Sequence, residues 1–355
     1  MTPRPFGTLP NGEAVEAYTL QSASGACAEV LTWGCIIRSL RVPDRDGRMA
    51  DVVLGFDSLS AYTEGKAYHG AVVGRIAGRV GGGILSIEGR EFRLPLNEGP
   101  NHLHGGGRGI DRRTWSAKPA EAAAGSASVR LSYLSPDGEQ GYPGFVSLTV
   151  TYTLTAENAL VVETEATSDR PTPVSLAQHA YFNLSGEGSG TVLGNKICVH
   201  ADSYVPAGDA MTPSDRRESV AGTPADLRYP RTLGGALAAM PGAHGELYLL
   251  RSPGEALPAQ PTPAAVLADP SSGRVLRVST NEACLQLYSG VGLGGQVGKS
   301  GAAYGPHSGL CLECEGYPHA GRAPGFGDIL VRPGRPQRRT TVYAFSAEAP
   351  PPRAP

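Results

Sequence analysis

Apolar and polar residues alternate with a period of two between Val129 and Ser168. V-R-L-S-Y-L-S, F-V-S-L-T-V-T-Y-T-L-T and A-L-V-V-E-T-E-A-T place apolar residues at about every second position. That is the pattern of a strand with one face on a core and the other in water. Pro136-Asp137-Gly138 and Ala156-Glu157-Asn158 separate the three runs, and their composition marks turns. Ala28 to Trp33 and Cys35 to Val42 are also strand-like, split by Gly34 and followed by a turn over Pro43 to Gly47. Asp51 to Phe56 is a further short apolar run, and alternation returns from Arg274 to Gly290. Ala210 to Leu267 is interrupted by Pro and Gly and reads as long loops over a sheet. A helical period is confined to an Ala-rich patch at Ala236 to Met240. Successive meanders of this kind predict an all-β fold, a large antiparallel β-sandwich.

Leu310 to Ala320 reads L-C-L-E-C-E-G-Y-P-H-A. A short apolar run stopped by Gly316 and Pro318 is a strand signal. Alternate residues of a strand face the same side, so Glu313 and Glu315 point the same way. Two readings follow from this segment: an edge strand with two solvated carboxylates, or a general base in a half-dry strand. Burial and a like-charged neighbour would both raise the base's pKa toward neutrality.

Composition supports the strand reading: 48 glycines and 30 prolines among 355 residues suit many short strands and turns. The net charge of −2 gives no electrostatic reason to expect nucleic acid or an anionic membrane as partner. The N-terminus, M-T-P-R-P-F-G-T-L-P, lacks the apolar core of a signal peptide, and no window approaches 18 uninterrupted apolar residues. With no secretion signal, the six cysteines are expected as reduced thiols and the protein as cytoplasmic. Cys311 and Cys314 form a lone C-x-x-C whose sulfurs would face opposite sides of a strand, which argues against a metal or redox site.

Three further segments carry candidate chemistry. A-V-V-G-R-I-A-G-R-V-G-G-G from Ala71 lacks the spacing and setting of a phosphate loop. Close backbone packing is the better account, with Arg75 and Arg79 projecting; the plain expectation is that both lie on the surface. Asn101-His102-Leu103-His104-Gly105-Gly106-Gly107 sets two histidines at i and i+2 without a third metal ligand at a familiar spacing, which favours hydrogen bonding to a ligand or to backbone. In Q-H-A-Y-F-N-L-S-G from Gln178, His179 is either a structural histidine or a proton donor.

Taken together in order, F-G-T-L-P at Phe6, V-V-L-G-F-D at Val52, G-R-I-A-G-R-V at Gly74, N-H-L-H-G-G at Asn101, S-P-D-G-E-Q-G-Y-P-G at Ser135, Q-H-A-Y-F-N-L-S-G at Gln178, L-Q-L-Y-S-G at Leu285 and L-E-C-E-G-Y-P at Leu312 resemble the aldose 1-epimerase (galactose mutarotase) family over nearly the whole chain. The resemblance implies a large β-sandwich with a sugar on its concave face. It implies interconversion of the α and β anomers of a free hexose by an isomerase that needs no metal or redox cofactor. Glu313 aligns with the family's general base and His179 with its general acid. Arg79, His104 and Gln286 match its sugar-contacting positions, and Tyr181 or Tyr288 would offer an apolar face to the ring. Candidate residues run from Arg79 to Glu313, which predicts one domain over residues 1–347 and a disordered tail over 348–355. The expected partner is a small sugar, with the chain a monomer or homodimer.

Four departures from the family pattern stand out. Gly78 replaces an Asn before the second arginine. His244, or Gly245, stands where members carry an Asp that grips sugar hydroxyls. Glu315 replaces a Gln, and if ionised and close it should raise the pKa of Glu313. His319 replaces an Asp at the expected rim. The alternatives are an epimerase for another sugar, with Arg112-Arg113 a candidate phosphate cluster, and a sugar-binding sensor without catalysis.

Overall fold

The computed structural model describes residues 2–214, 216–251, 255–318 and 329–348. Of the expected tail over 348–355, residues 349–355 lie outside the described residues, as does His319. Three antiparallel sheets dominate. A five-stranded meander takes the first strands in chain order: Arg4–Thr8, Ala14–Gln21, Cys27–Leu31, Ile37–Pro43 and Met49–Asp51. A nine-stranded sheet runs Ser116–Ala120, Ala127–Ser135, Val146–Leu154, Ala159–Ser168, Gln337–Ala347, Arg274–Thr280, Thr262–Ala268, Lys196–Val199 and Arg231–Thr232. A six-stranded sheet runs Tyr181–Phe182, Leu310–Glu315, Cys284–Tyr288, Leu247–Leu249, Ser203–Val205 and Glu218–Ser219.

The alternation read from the sequence sets the layers. In Val146–Leu154, Val146, Leu148, Val150, Tyr152 and Leu154 are buried and the residues between them are not. Their partners are in register, Val150 opposite both Leu131 and Thr164. Further along the same sheet, Gln337–Ala347 packs on the six-stranded sheet: Phe182 lies 5.2 Å from Tyr343 and 6.3 Å from Phe345 between ring centroids, and the Tyr343 hydroxyl donates to Leu312 O at 3.3 Å. Each such large apolar side chain taken from water contributes roughly 1.5–3 kcal/mol.

Parity along Leu310–Glu315 decides what the inner sheet shows to the outside. Leu310, Leu312 and Cys314 belong to the main core. Cys311, Glu313 and Glu315 take the opposite face. This strand lies inside the sheet, paired with Tyr181–Phe182 and Cys284–Tyr288, so the edge-strand alternative is overturned. All six of its residues are buried.

Two expectations change. The stretch from Ala210 to Leu267 is not only loop, since Leu247–Leu249 and Thr262–Ala268 pair into the two large sheets. The helix near Ala236 spans Leu233–Leu237, and a second, unanticipated one spans Leu59–Glu64 with Ser58 as its N-cap. Among the described residues no helix is long and apolar enough to cross a membrane.

Candidate active site

The outward face of the inner sheet floors a cavity of about 280 Å³. The residues that the family resemblance assigns to the site line it: Glu313, His179, Arg79, His104, Gln286, Tyr181, Tyr288 and His244. Glu313 and Gln286 are register partners on neighbouring strands, and Leu247 opposes Gln286 on the next. The floor is therefore a row of side chains on one face of three strands.

His179 sits between two short strands, Ala177–Gln178 and Tyr181–Phe182. Its backbone N–H donates to Ala71 O at 2.8 Å, and its carbonyl accepts from Gly70 N at 3.0 Å. Its Nε2 lies 3.7 Å from Glu313 Oε2, and its Nδ1 lies 3.5 Å from the Cys311 thiol. Tyr68, His104 and Tyr181 surround the imidazole at 5.1–5.6 Å between centroids.

His104 is held by the glycine-rich segment. Gly78 N donates to His104 Nδ1 at 3.1 Å, while His104 N donates to Gly78 O at 3.1 Å. The first bond makes Nδ1 an acceptor, which puts the ring proton on Nε2. The loop closes onto Gly74, and a Cβ on Gly105 would fall 1.7 Å from Gly74 O, so only glycine fits there. Arg79 makes a two-pronged pair with Glu98, Nε to Oε2 at 2.7 Å and Nη2 to Oε1 at 2.6 Å. Gln286 Nε2 donates to Leu287 O at 2.8 Å, and His244 lies 4.7 Å from Tyr288 between ring centroids, tilted by 41°.

Burial governs the electrostatics. It pushes the Glu313 carboxyl up to about 8, with Arg79 opposing the rise. It pushes His179 down to about 4, and His104 well below its usual range. Glu315, expected to raise Glu313 if ionised, is itself held well above the carboxylate range, by burial first and by Glu313 beside it second, and for Glu313 desolvation is the leading cause. Oε2 of each glutamate has no hydrogen-bond partner among the described residues. One donor atom from each of His104, His179 and Glu313 lies within 4.8 Å of the others. Three such donors are a candidate metal set, but this spread is looser than the roughly 3.4 Å that tetrahedral zinc imposes through bonds near 2.0–2.1 Å.

Several sequence candidates fall elsewhere. Arg75 is not a surface residue: it is 2% exposed, and its guanidinium donates to Ser135, Pro136, Pro143, Gly144 and Thr172. His102 is structural, bonded to Pro95 O and the Tyr142 hydroxyl at 2.7 Å each. Arg112 donates to Thr63 O and Gly65 O, and Arg113 pairs with Glu139, so neither joins the cavity. Conversely, Tyr68, Glu98, Met211 and Gln296 line the cavity and carry no period or motif that marks them.

A profile of the family described as aldose 1-epimerase matches residues 16–344. Galactose mutarotase of Homo sapiens is 40% identical over 345 residues, covering 96% of this chain and 97% of that protein. Aldose 1-epimerase of Escherichia coli is 32% identical over 346 residues, with the same coverage of each. Among solved structures, the GalM/aldose epimerase homologue from C. elegans superposes with a TM-score of 0.84 at 29% identity, covering 94% of this chain and all of that one. Galactose 1-epimerase from Lactobacillus acidophilus superposes with a TM-score of 0.81 at 28% identity, covering 98% and 99%.

Proposed function

The chain belongs to the aldose 1-epimerase family, and we propose that its cavity performs that family's reaction through Glu313 and His179. The protein is an isomerase that interconverts the α and β anomers of a free aldose of the glucose and galactose type. The observation that carries the residue assignment is the 3.7 Å separation of the His179 imidazole and the Glu313 carboxylate, both buried and both facing one sugar-sized cavity.

Glu313 takes the proton from the C1 hydroxyl while His179 gives one to the ring oxygen. The C1–O5 bond breaks, leaving the open-chain aldehyde and a C5 hydroxyl. Rotation about C1–C2 presents the other face of the carbonyl. Closure then runs with roles exchanged: His179 removes the C5 hydroxyl proton and Glu313 returns one to the new C1 oxygen. Atoms and charge balance over the cycle. Positioned acid and base catalysis of this kind contributes roughly 100- to 10,000-fold. The Nε2–H of His104, Arg79 and Gln286 supply hydrogen bonds to ring hydroxyls, with Tyr181 packing on the sugar and His244 in reach at the wall.

Polarimetry on freshly dissolved α-D-galactose and α-D-glucose tests this function. The rotation is expected to relax well above the buffer rate in proportion to enzyme concentration. Relaxation of both sugars at the buffer rate would overturn it.

A further inference from the structure

Glu315 takes no part in the chemistry above, yet it is built into the same cavity. It is 1% exposed, it lies two residues beyond Glu313 on the same strand face, and it lines the cavity wall. Its Oε2 has no hydrogen-bond partner among the described residues. Such buried polar atoms are rare in native proteins unless a further group meets them.

The backbone opposite is shaped around it. Gly78 has φ +75°, and a Cβ there would stand 3.1 Å from Glu315 Oε1 and 2.9 Å from Pro318 Cγ. The bare glycine gives the carboxyl its room at the wall, and the paired hydrogen bonds with His104 hold that glycine in place. Arg79, the guanidinium lining the cavity, already binds Glu98 with two nitrogens. Among the described residues Glu315 thus has no paired counter-charge, and burial first and Glu313 beside it second hold its carboxyl well above the usual carboxylate range. A carboxylic acid presents one O–H donor and one carbonyl acceptor, which together match a sugar hydroxyl.

We propose that Glu315 is a specificity-determining residue whose carboxyl group occupies the space beside Gly78 and hydrogen-bonds one hydroxyl of the bound sugar. The proposal rests on the sugar chemistry assigned to this cavity. It adds a contact where the sequence has departed at two facing positions, Gly78 and Glu315.

The test measures KM and kcat for D-galactose, D-glucose and their monodeoxy derivatives with wild type, E315L and E315Q. E315L is expected to raise KM about tenfold with kcat within about threefold of wild type, the loss of one hydrogen bond to the bound sugar. That penalty should vanish on one monodeoxy sugar, the one lacking the contacted hydroxyl. E315Q, whose amide also donates and accepts, should regain the wild-type pattern of discrimination. An E315L penalty that is absent, or equal across the whole deoxy series, would overturn the proposal. If E315L does not fold, E315D withdraws the carboxyl by one methylene and the same vanishing penalty is read. A wild type inert toward all of these sugars would instead sink the function proposed above, whereas an active wild type with an indifferent E315L sinks only the role of Glu315.

Discussion

At the scale of single residues, one cause drives Glu313 and His179 in opposite directions. Burial disfavours charge, raising the acid to about 8 and lowering the imidazole to about 4. Between these limits the pair holds one proton, resting on Glu313, and the reactive arrangement needs the same proton count with the charge separated over 3.7 Å. Below about 4 the pair gains a second proton and has no base; above about 8 it loses its proton and has no acid. kcat/KM should therefore be bell-shaped, with an acid limb near 4 and an alkaline limb near 8 that belong to the pair. Arg79 holds Glu313 down, so R79M should move the alkaline limb to higher pH and raise KM roughly tenfold, as expected for a lost charged hydrogen bond; an unmoved limb would contradict the placement of that charge. The shared face of Glu313 and Glu315 was legible in the sequence because a strand repeats every two residues. The Arg79–Glu98 pair was not, because nothing local joins positions 19 residues apart. Nor was the burial of Arg75, whose acceptors are mostly backbone carbonyls far along the chain.

At the scale of elements, Arg75 ties the glycine-rich segment to the loop over residues 135–144 and to Thr172 through six donations at 2.8–3.3 Å. Removing it leaves several buried carbonyls without a donor, each worth about 1 kcal/mol or more. R75M should accordingly lower unfolding free energy by about 3 kcal/mol or more, read from urea midpoints at constant m; a change within about 0.5 kcal/mol would refute the clamp. Long strands were readable wherever alternation ran for seven or more residues, as in Val146–Leu154. Leu247–Leu249 escaped because three residues carry no period and all three are buried. The Leu59–Glu64 helix escaped because one and a half turns hold only two buried residues, Leu59 and Tyr62.

At the scale of the whole molecule, the cavity draws on residues from Lys66 to Pro318, and the nine-stranded sheet pairs Ala159–Ser168 with Gln337–Ala347. We propose on that basis that residues 1–347 form one folding unit. Calorimetry should then show one thermal transition, and a resolved second transition would separate the chain into independent parts. The sequence carried the architecture well because periodic strands dominate it, and it carried the site through eight ordered motifs. It could not show which side chains meet across the cavity, since sheet order is not written locally. The central claim is that Glu313 and His179 act as one acid–base unit. Its most direct test is the rate of α/β exchange at equilibrium, followed by NMR saturation transfer between the anomeric protons of D-galactose, for wild type, E313Q, H179N and the double variant. Each single change should slow exchange by about 100-fold or more, and the double variant should be only a few-fold slower than either, as for residues that work together. Exchange by E313Q or H179N within about threefold of wild type would contradict the account.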